Sequence, residues 1–360
     1  MSNSLRSWKG ALVPAMVAAG VTAPLLAGPA QAAPREATIE VLATGLKNPR
    51  DITALRDGTL LVAEAGEGLP GCATGTACAG LTGAVYRVKG ESKGRVVEGL
   101  QSYAKGPAAG APVSASGPNQ VVPAAGGGYT VLSSYGGTTD SRAQLGADGT
   151  KLGTLYRTRD GKVLADPVDH ETRLNPDGGD VHSNPWGFVP SGDGWLITDA
   201  GANTVLRADS RGRVSTAFVL PKNELPTGAA EGVPTGVVTA RNGTVYVADM
   251  SGTKTDASRI WKIAPGQRPE VLVTGLTNLV DLDLDCKGNL IALSFTKGFQ
   301  QGPPLPGALS RIDVRSKQIT EIPTGNQLVG PTGLEVGPRG QIYVTNNSNG
   351  TDGRLVEVTP

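Results

Sequence analysis

Histidine occurs twice in 360 residues, at His170 and His182, and cysteine three times. Zinc sites built on several histidines are thereby excluded. Aromatic residues make up only 4%, which counts against an interface built on many aromatic anchors. No long basic run is present, and 33 basic residues nearly cancel 32 acidic ones. Nucleic acid and anionic membrane surfaces are therefore poor partners. Beyond residue 27 no apolar run approaches the ~20 residues that span a bilayer. What the chain has instead is 51 glycines and 26 prolines in a sequence still 39% hydrophobic. That is too apolar for a disordered chain and too rich in breakers for a helical one.

The amino terminus reads as a secretory signal. Arg6 and Lys9 form a short basic start, residues 11–27 are rich in Ala, Val and Leu, and Ala30-Gln31-Ala32 offers a small-x-small cleavage site. Residues 1–32 are accordingly expected to be a signal peptide and residues 33–360 one domain, secreted to an extracellular location. In that setting Cys72 and Cys78, six residues apart in a Gly/Thr/Ala loop, read as a small disulfide. A Cys-Cys metal pair is the alternative, but no His or further Cys completes it. Cys286 is left over as a thiol beside a turn.

The main signal is an internal repeat. One phrase recurs six times: a Pro or Asn near a strand start, an apolar strand, a Gly turn, and a second strand ending on an acidic or polar residue. NPRDITALRDGTLLVAEAG, SNPWGFVPSGDGWLITDAG, VPTGVVTARNGTVYVADMSG and TNLVDLDLDCKGNLIALSF show it most plainly. A third strand and a short fourth follow each time. Asp57-Gly58 and Asn242-Gly243 supply the positive φ angles that tight hairpins require. A four-stranded unit cannot bury both faces alone, whereas six arranged radially bury them against one another. The fold class expected is therefore all-β, a six-bladed β-propeller of four-stranded antiparallel blades. The last copy stops after three strands, and the unassigned stretch Thr38-Ile39-Glu40-Val41-Leu42 is expected to complete that blade and close the ring.

Strand direction alternates within a blade, so loops sort onto two faces. Nearly all insertions (residues 66–82, 103–116, 133–149, 166–183, 221–232, 251–258 and 297–307) fall on one of them, as binding loops do. Innermost strands start on this face and bring Asn48, Asn119, Asn184 and Asn278 toward the channel. Second strands end there and deliver Glu64, Asp199, Asp249 and Asn346. Tyr135 and Trp186 are expected to contribute an apolar and aromatic patch to the same surface. No cofactor is called for, but Ca²⁺ takes six to eight hard oxygen donors, and Glu64, Asn119, Asn184, Asp199 and Asp249 are the set that would hold it. The alternative for these residues is to hydrogen-bond turn backbones. His182, beside Asn184 and Trp186, is read as a loop residue, since no nucleophile motif accompanies it.

The phrases VLATGLKNPRDI, GLQSYA with ASGPN, NPDGGDVHSNPWG, VPTGV and TGLTNLVDL resemble the ScyD/ScyE family, and single blades such as PTGVVTARNGTVYVAD resemble NHL repeats. The resemblance runs in order from about Ile39 to Pro360. It implies an exported six-bladed propeller without an established chemistry, and it transfers no catalytic residues. The adopted reading is a binding or scaffold protein, monomeric and without a membrane span, that grips a protein or small-molecule ligand through its loop-elaborated face. The alternative is a Ca²⁺-dependent hydrolase resembling propeller lactonases, with a sugar dehydrogenase-like enzyme behind it.

Overall fold

The computed structural model describes residues 35–108, 111–299 and 305–360; the expected signal peptide, residues 1–32, lies outside them. Six antiparallel sheets are arranged in a ring, a six-bladed β-propeller. The innermost strands are Pro49–Ala54, Pro118–Pro123, Pro185–Ser191, Pro234–Thr239, Leu279–Leu284 and Gly333–Val336. Each is followed by a second strand through a tight turn. In two of these turns the sequence explains the geometry directly. Asp57 Oδ1 accepts from the Thr59 N–H and Asn242 Oδ1 from that of Thr244, each at 3.0 Å, while Gly58 and Gly243 between them take φ of 82° and 80°.

Alternating apolar residues on both sheet faces create six clusters, one at each interface between neighbouring blades. Leu61, Ala63 and Val85 of the first blade meet Val121, Val131 and Tyr156 of the second. On the other face of the first blade, Ile52, Leu60 and Val62 meet Leu46, Tyr343 and Leu355 of the last. Fully burying each such aliphatic side chain stabilises the fold by about 1.5–3 kcal/mol. Leu46 in that cluster belongs to the strand Thr38–Leu46, which pairs antiparallel with Gly353–Thr359, from Thr38 opposite Thr359 to Leu46 opposite Gly353. The last sheet is thus assembled from both ends of the described chain.

An innermost strand has one edge facing the channel with no strand beyond it, so its backbone groups need other partners. Side chains of the adjoining blade supply them. Gln120 accepts from Phe188 N–H at 2.6 Å, Asp281 from Leu334 and Asp283 from Val336 at 2.7 Å each, and Glu335 from Ala54 at 2.9 Å. Thr235 donates to the Leu279 carbonyl, and Trp186, from two blades away, donates across the channel to that of Val280, both at 3.0 Å. The blades are therefore tied together around the channel by hydrogen bonds as well as by apolar packing.

The first blade departs from the simple repeat. Its third and fourth strands, Ala77–Lys89 and Ser92–Lys105, run to 13 and 14 residues, so much of what reads as loop in the sequence is an extended hairpin. Ala115–Ser116 adds a fifth strand to this sheet. The Cys72–Cys78 disulfide sits at the hairpin's end, and Cys286 is a free, exposed thiol. Converting both Cys72 and Cys78 to Ser is expected to lower stability by about 2 kcal/mol in urea denaturation, because so short a loop restricts the unfolded chain only modestly. The second blade carries two short helices, Thr139–Ala143 and Pro167–Leu174. Among the described residues no helix is long and apolar enough to cross a membrane.

Candidate functional site

The channel mouth on the elaborated face is a cup of about 680 Å³. Innermost strands begin here, and residues 103–107, 112 and 114–116 of one insertion and Phe299 of another line it. Trp186, Met250 and Phe295 give it an apolar floor, Tyr103 and the exposed Phe299 flank it, and its polar members include Arg50, Lys105, Asn119, Asn184 and Asn349. A second groove of about 780 Å³ opens alongside, lined by Asp180, His182, Asn184 and Asn203, and Trp186 and Met250 border both. The indole is fixed across the channel: its Nε1 donates to Val280 O at 3.0 Å, while the Trp186 carbonyl accepts from Asn119 Nδ2.

Arg50 is 7% exposed, yet among the described residues no carboxylate lies within ion-pairing distance of it. Its guanidinium instead donates to the backbone carbonyls of Ser348 at 3.0 Å and Ala115 at 2.7 Å. Burial lowers its pKa to about 10, so it stays a cation at neutral pH. A buried cation satisfied only by neutral acceptors is ready to take an anionic partner.

Beneath Trp186 the channel narrows to a chamber of about 120 Å³ lined by Asp51, Asp281, Asp283, Glu335, Asn119 and Gln120, among others. Burial, followed by the charges of Asp281 and Glu335, raises the Asp51 carboxyl well above the usual range. Burial likewise raises Asp281 to about 7 and Asp283 to about 6. It raises Glu335 well above its ordinary value, with the Asp283 charge adding to the effect.

The residues singled out from sequence divide into two groups. Asn119, Asn184 and Trp186 line the mouth. Glu64, Asp199, Asp249 and Asn346 sit where second strands end, and each captures the backbone N–H of the segment entering its own blade: Lys47, Asn184, Val233 and Val329 respectively. Glu64 is also paired with Arg95, and Asp249 with Arg259, each at 2.7 Å. Asp199 accepts further from Ser183 Oγ and from the N–H groups of Gly201 and Ala202. These oxygens are spent on the protein, so Glu64, Asp199 and Asp249 do not fit a Ca²⁺ held jointly with Asn119 and Asn184. Among the described residues no three acidic, His or Cys side chains converge in a metal-ligand arrangement.

Asn48 ties loops together, donating to Gly66 O at 2.8 Å and accepting from Gly350 N–H at 3.2 Å. Asn278, with φ of 47°, is buried with no hydrogen-bond partner for its side chain among the described residues. Tyr135 is 2% exposed, packed with Leu152 and Val168 and edge-on to Tyr103. It is a core residue, and the aromatic patch around Trp186 is made by Tyr103, Phe295 and Phe299. His182 lines the side groove and packs against Gly136 and Gly201. The channel carboxylates and Arg50 were not singled out from sequence. Their signal was present, since Asp281 and Asp283 alternate with Val280, Leu282 and Leu284 in an innermost strand, a period that places both on the channel side.

The chain matches no protein-family model and no curated protein in sequence. Solved structures share its fold. A regucalcin from Agrobacterium tumefaciens, described as a calcium-binding protein, is 16% identical with a TM-score of 0.51, over 91% of this chain and 97% of that one. A virginiamycin B lyase from Staphylococcus aureus is 14% identical with a TM-score of 0.50, over 90% of this chain and all of that one. At such identities the likeness establishes the propeller fold alone.

Proposed function

We propose that the protein is an exported, monomeric binding propeller whose elaborated mouth takes a small amphiphilic ligand, a ring system bearing one anionic group. The observation that carries this reading is the pairing, in one cup of about 680 Å³, of an apolar floor with a buried Arg50 that lacks a carboxylate partner. Ligand sites of this size are mostly apolar with a few placed polar groups. A ring stacked on the immobilised Trp186 would bring its acid group to Arg50. Binding is favoured over catalysis because none of the described residues lining the cup is Asp, Glu or His, the side chains that most often serve as general bases near neutral pH. The secretory signal and the resemblance to the ScyD/ScyE family belong to the same proposal.

The second reading is a Ca²⁺-dependent hydrolase. The fold shared with a calcium-binding regucalcin favours it; the protein-bound oxygens of Glu64, Asp199 and Asp249 weigh against it. Thermal unfolding with benzoate, phenylacetate and indole-3-carboxylate separates the two when run beside a lactone-hydrolysis assay with Ca²⁺. At least one acid is expected to raise the midpoint, its neutral amide to do less, and Arg50→Met to weaken the acid's affinity by about tenfold or more. Absence of any shift together with Ca²⁺-dependent hydrolysis would reverse the order of the readings.

A further inference from the structure

Asn119 carries a polar atom that the fold leaves unused. It lies in the innermost strand Pro118–Pro123 of the second blade and is 2% exposed. Its side chain borders both the cup and the chamber below it. The Nδ2 group donates to the Trp186 carbonyl, whereas Oδ1 is buried with no hydrogen-bond partner among the described residues. Turning the amide over would set its oxygen against that carbonyl, acceptor facing acceptor. The orientation is therefore fixed by Trp186.

The donors that share these walls are committed elsewhere. Trp186 Nε1 donates to Val280 O at 3.0 Å, and Thr332 Oγ1 to Pro49 O at 2.9 Å. Arg50 donates to the Ser348 and Ala115 carbonyls, and Ser134 Oγ to Gly117 O. None of them turns to Asn119. A buried acceptor without a donor is costly, and native structures keep few of them. A bound molecule that brings an N–H removes that cost, and one that lacks it does not.

We infer that Asn119 Oδ1 is the specificity element of the mouth, selecting an aromatic acid that carries a ring N–H. This inference rests on the ligand reading above and narrows it to a chemical class. Arg50, Asn119 and Trp186 belong to the first, second and third blades in turn, and all three line the cup. The acid group of the ligand pairs with the Arg50 guanidinium, its ring lies on the Trp186 indole, and its N–H donates to Asn119 Oδ1. A ring with oxygen in place of the N–H sets a lone pair against Oδ1 instead. A ring with no polar atom leaves Oδ1 unpaired. Asn119 thus decides which ring is held, while Arg50 answers to the acid group that all such rings share.

The test is calorimetric titration of the full chain with indole-3-carboxylate and with benzofuran-3-carboxylate, which has the same size and charge but no ring donor. The wild-type protein is expected to bind the indole acid about tenfold or more tightly than the benzofuran acid. Asn119→Leu is close in volume and removes the acceptor, so the two acids are then expected to bind within about twofold of each other. If that variant does not fold, the comparison of the two acids on the wild-type protein carries the test alone. Equal affinity of the wild-type protein for both acids, or a preference that survives in Asn119→Leu, would overturn the inference and leave the mouth as an acid site. Binding of neither acid would overturn both readings.

Discussion

Asp249→Ala is expected to cost about 3–5 kcal/mol of unfolding free energy, the scale for breaking a buried ion pair from one side. Asp249 is fully buried. It accepts from Val233 N–H at 3.0 Å, Ser251 N–H at 2.8 Å, Arg259 Nη2 at 2.7 Å and Trp261 Nε1 at 3.1 Å. Its removal would strand the Arg259 guanidinium, 5% exposed, with the Pro221 carbonyl as its remaining acceptor. The same substitution at Glu64 is expected to cost less, because its partner Arg95 is 28% exposed and water can solvate the freed cation. Urea denaturation of the two variants checks the order. A loss below about 1 kcal/mol at Asp249 would mean that the strand-end carboxylates do not hold the blades as described.

The second large effect is a fall in stability as pH rises from about 5 to about 8 in EDTA. Asp281 and Asp283 are raised to about 7 and about 6, and Asp51, Glu335 and Glu171 are raised as well. A group with a raised folded pKa binds its proton more tightly in the native state. Its stabilising contribution is complete below the unfolded value near 4 and is lost as pH climbs through the folded value. For Asp281 and Asp283 the loss is about 3 kcal/mol each at most. His170, lowered by burial, works in the opposite direction in this window, but as one group against five. The exposed carboxylates held low by their partners, such as Asp57 beside Lys89 and Asp209 beside Arg213, act only below about pH 4. Glu335→Gln removes a charge beside Asp283 while keeping the acceptor for Ala54, so its urea midpoint should decline less steeply with pH. A flat wild-type profile would contradict the chamber's electrostatics.

The fold was legible because a repeat announces itself by period: six Gly turns between alternating apolar strands leave few other ways to bury both sheet faces. The elaborated face was legible too, since strand alternation alone decides where each insertion emerges. The site was legible only in part. Residues at second-strand ends, such as Glu64 and Asp249, point toward the correct face, but sequence does not reveal that the incoming segment's N–H groups and a cross-strand Arg consume their oxygens. Tyr135 failed for a related reason: the two short helices of the second blade, Thr139–Ala143 and Pro167–Leu174, cover what would otherwise be surface. Arg50 and Asp51 lay inside the phrase NPRDI and were passed over as part of the repeat. Which neighbouring residue turns to the mouth and which to the chamber depends on the strand's phase around the channel.

In the proposed function the elaborated mouth, and not the opposite face, receives the ligand, and hydrogen exchange with and without indole-3-carboxylate distinguishes the two faces. Slower exchange is expected in residues 103–107, 115–119 and 347–350 around the cup, with the turns at residues 55–59 and 337–341 on the far face unchanged. Protection of those far-face turns, or no protection at the mouth under saturating acid, would contradict it.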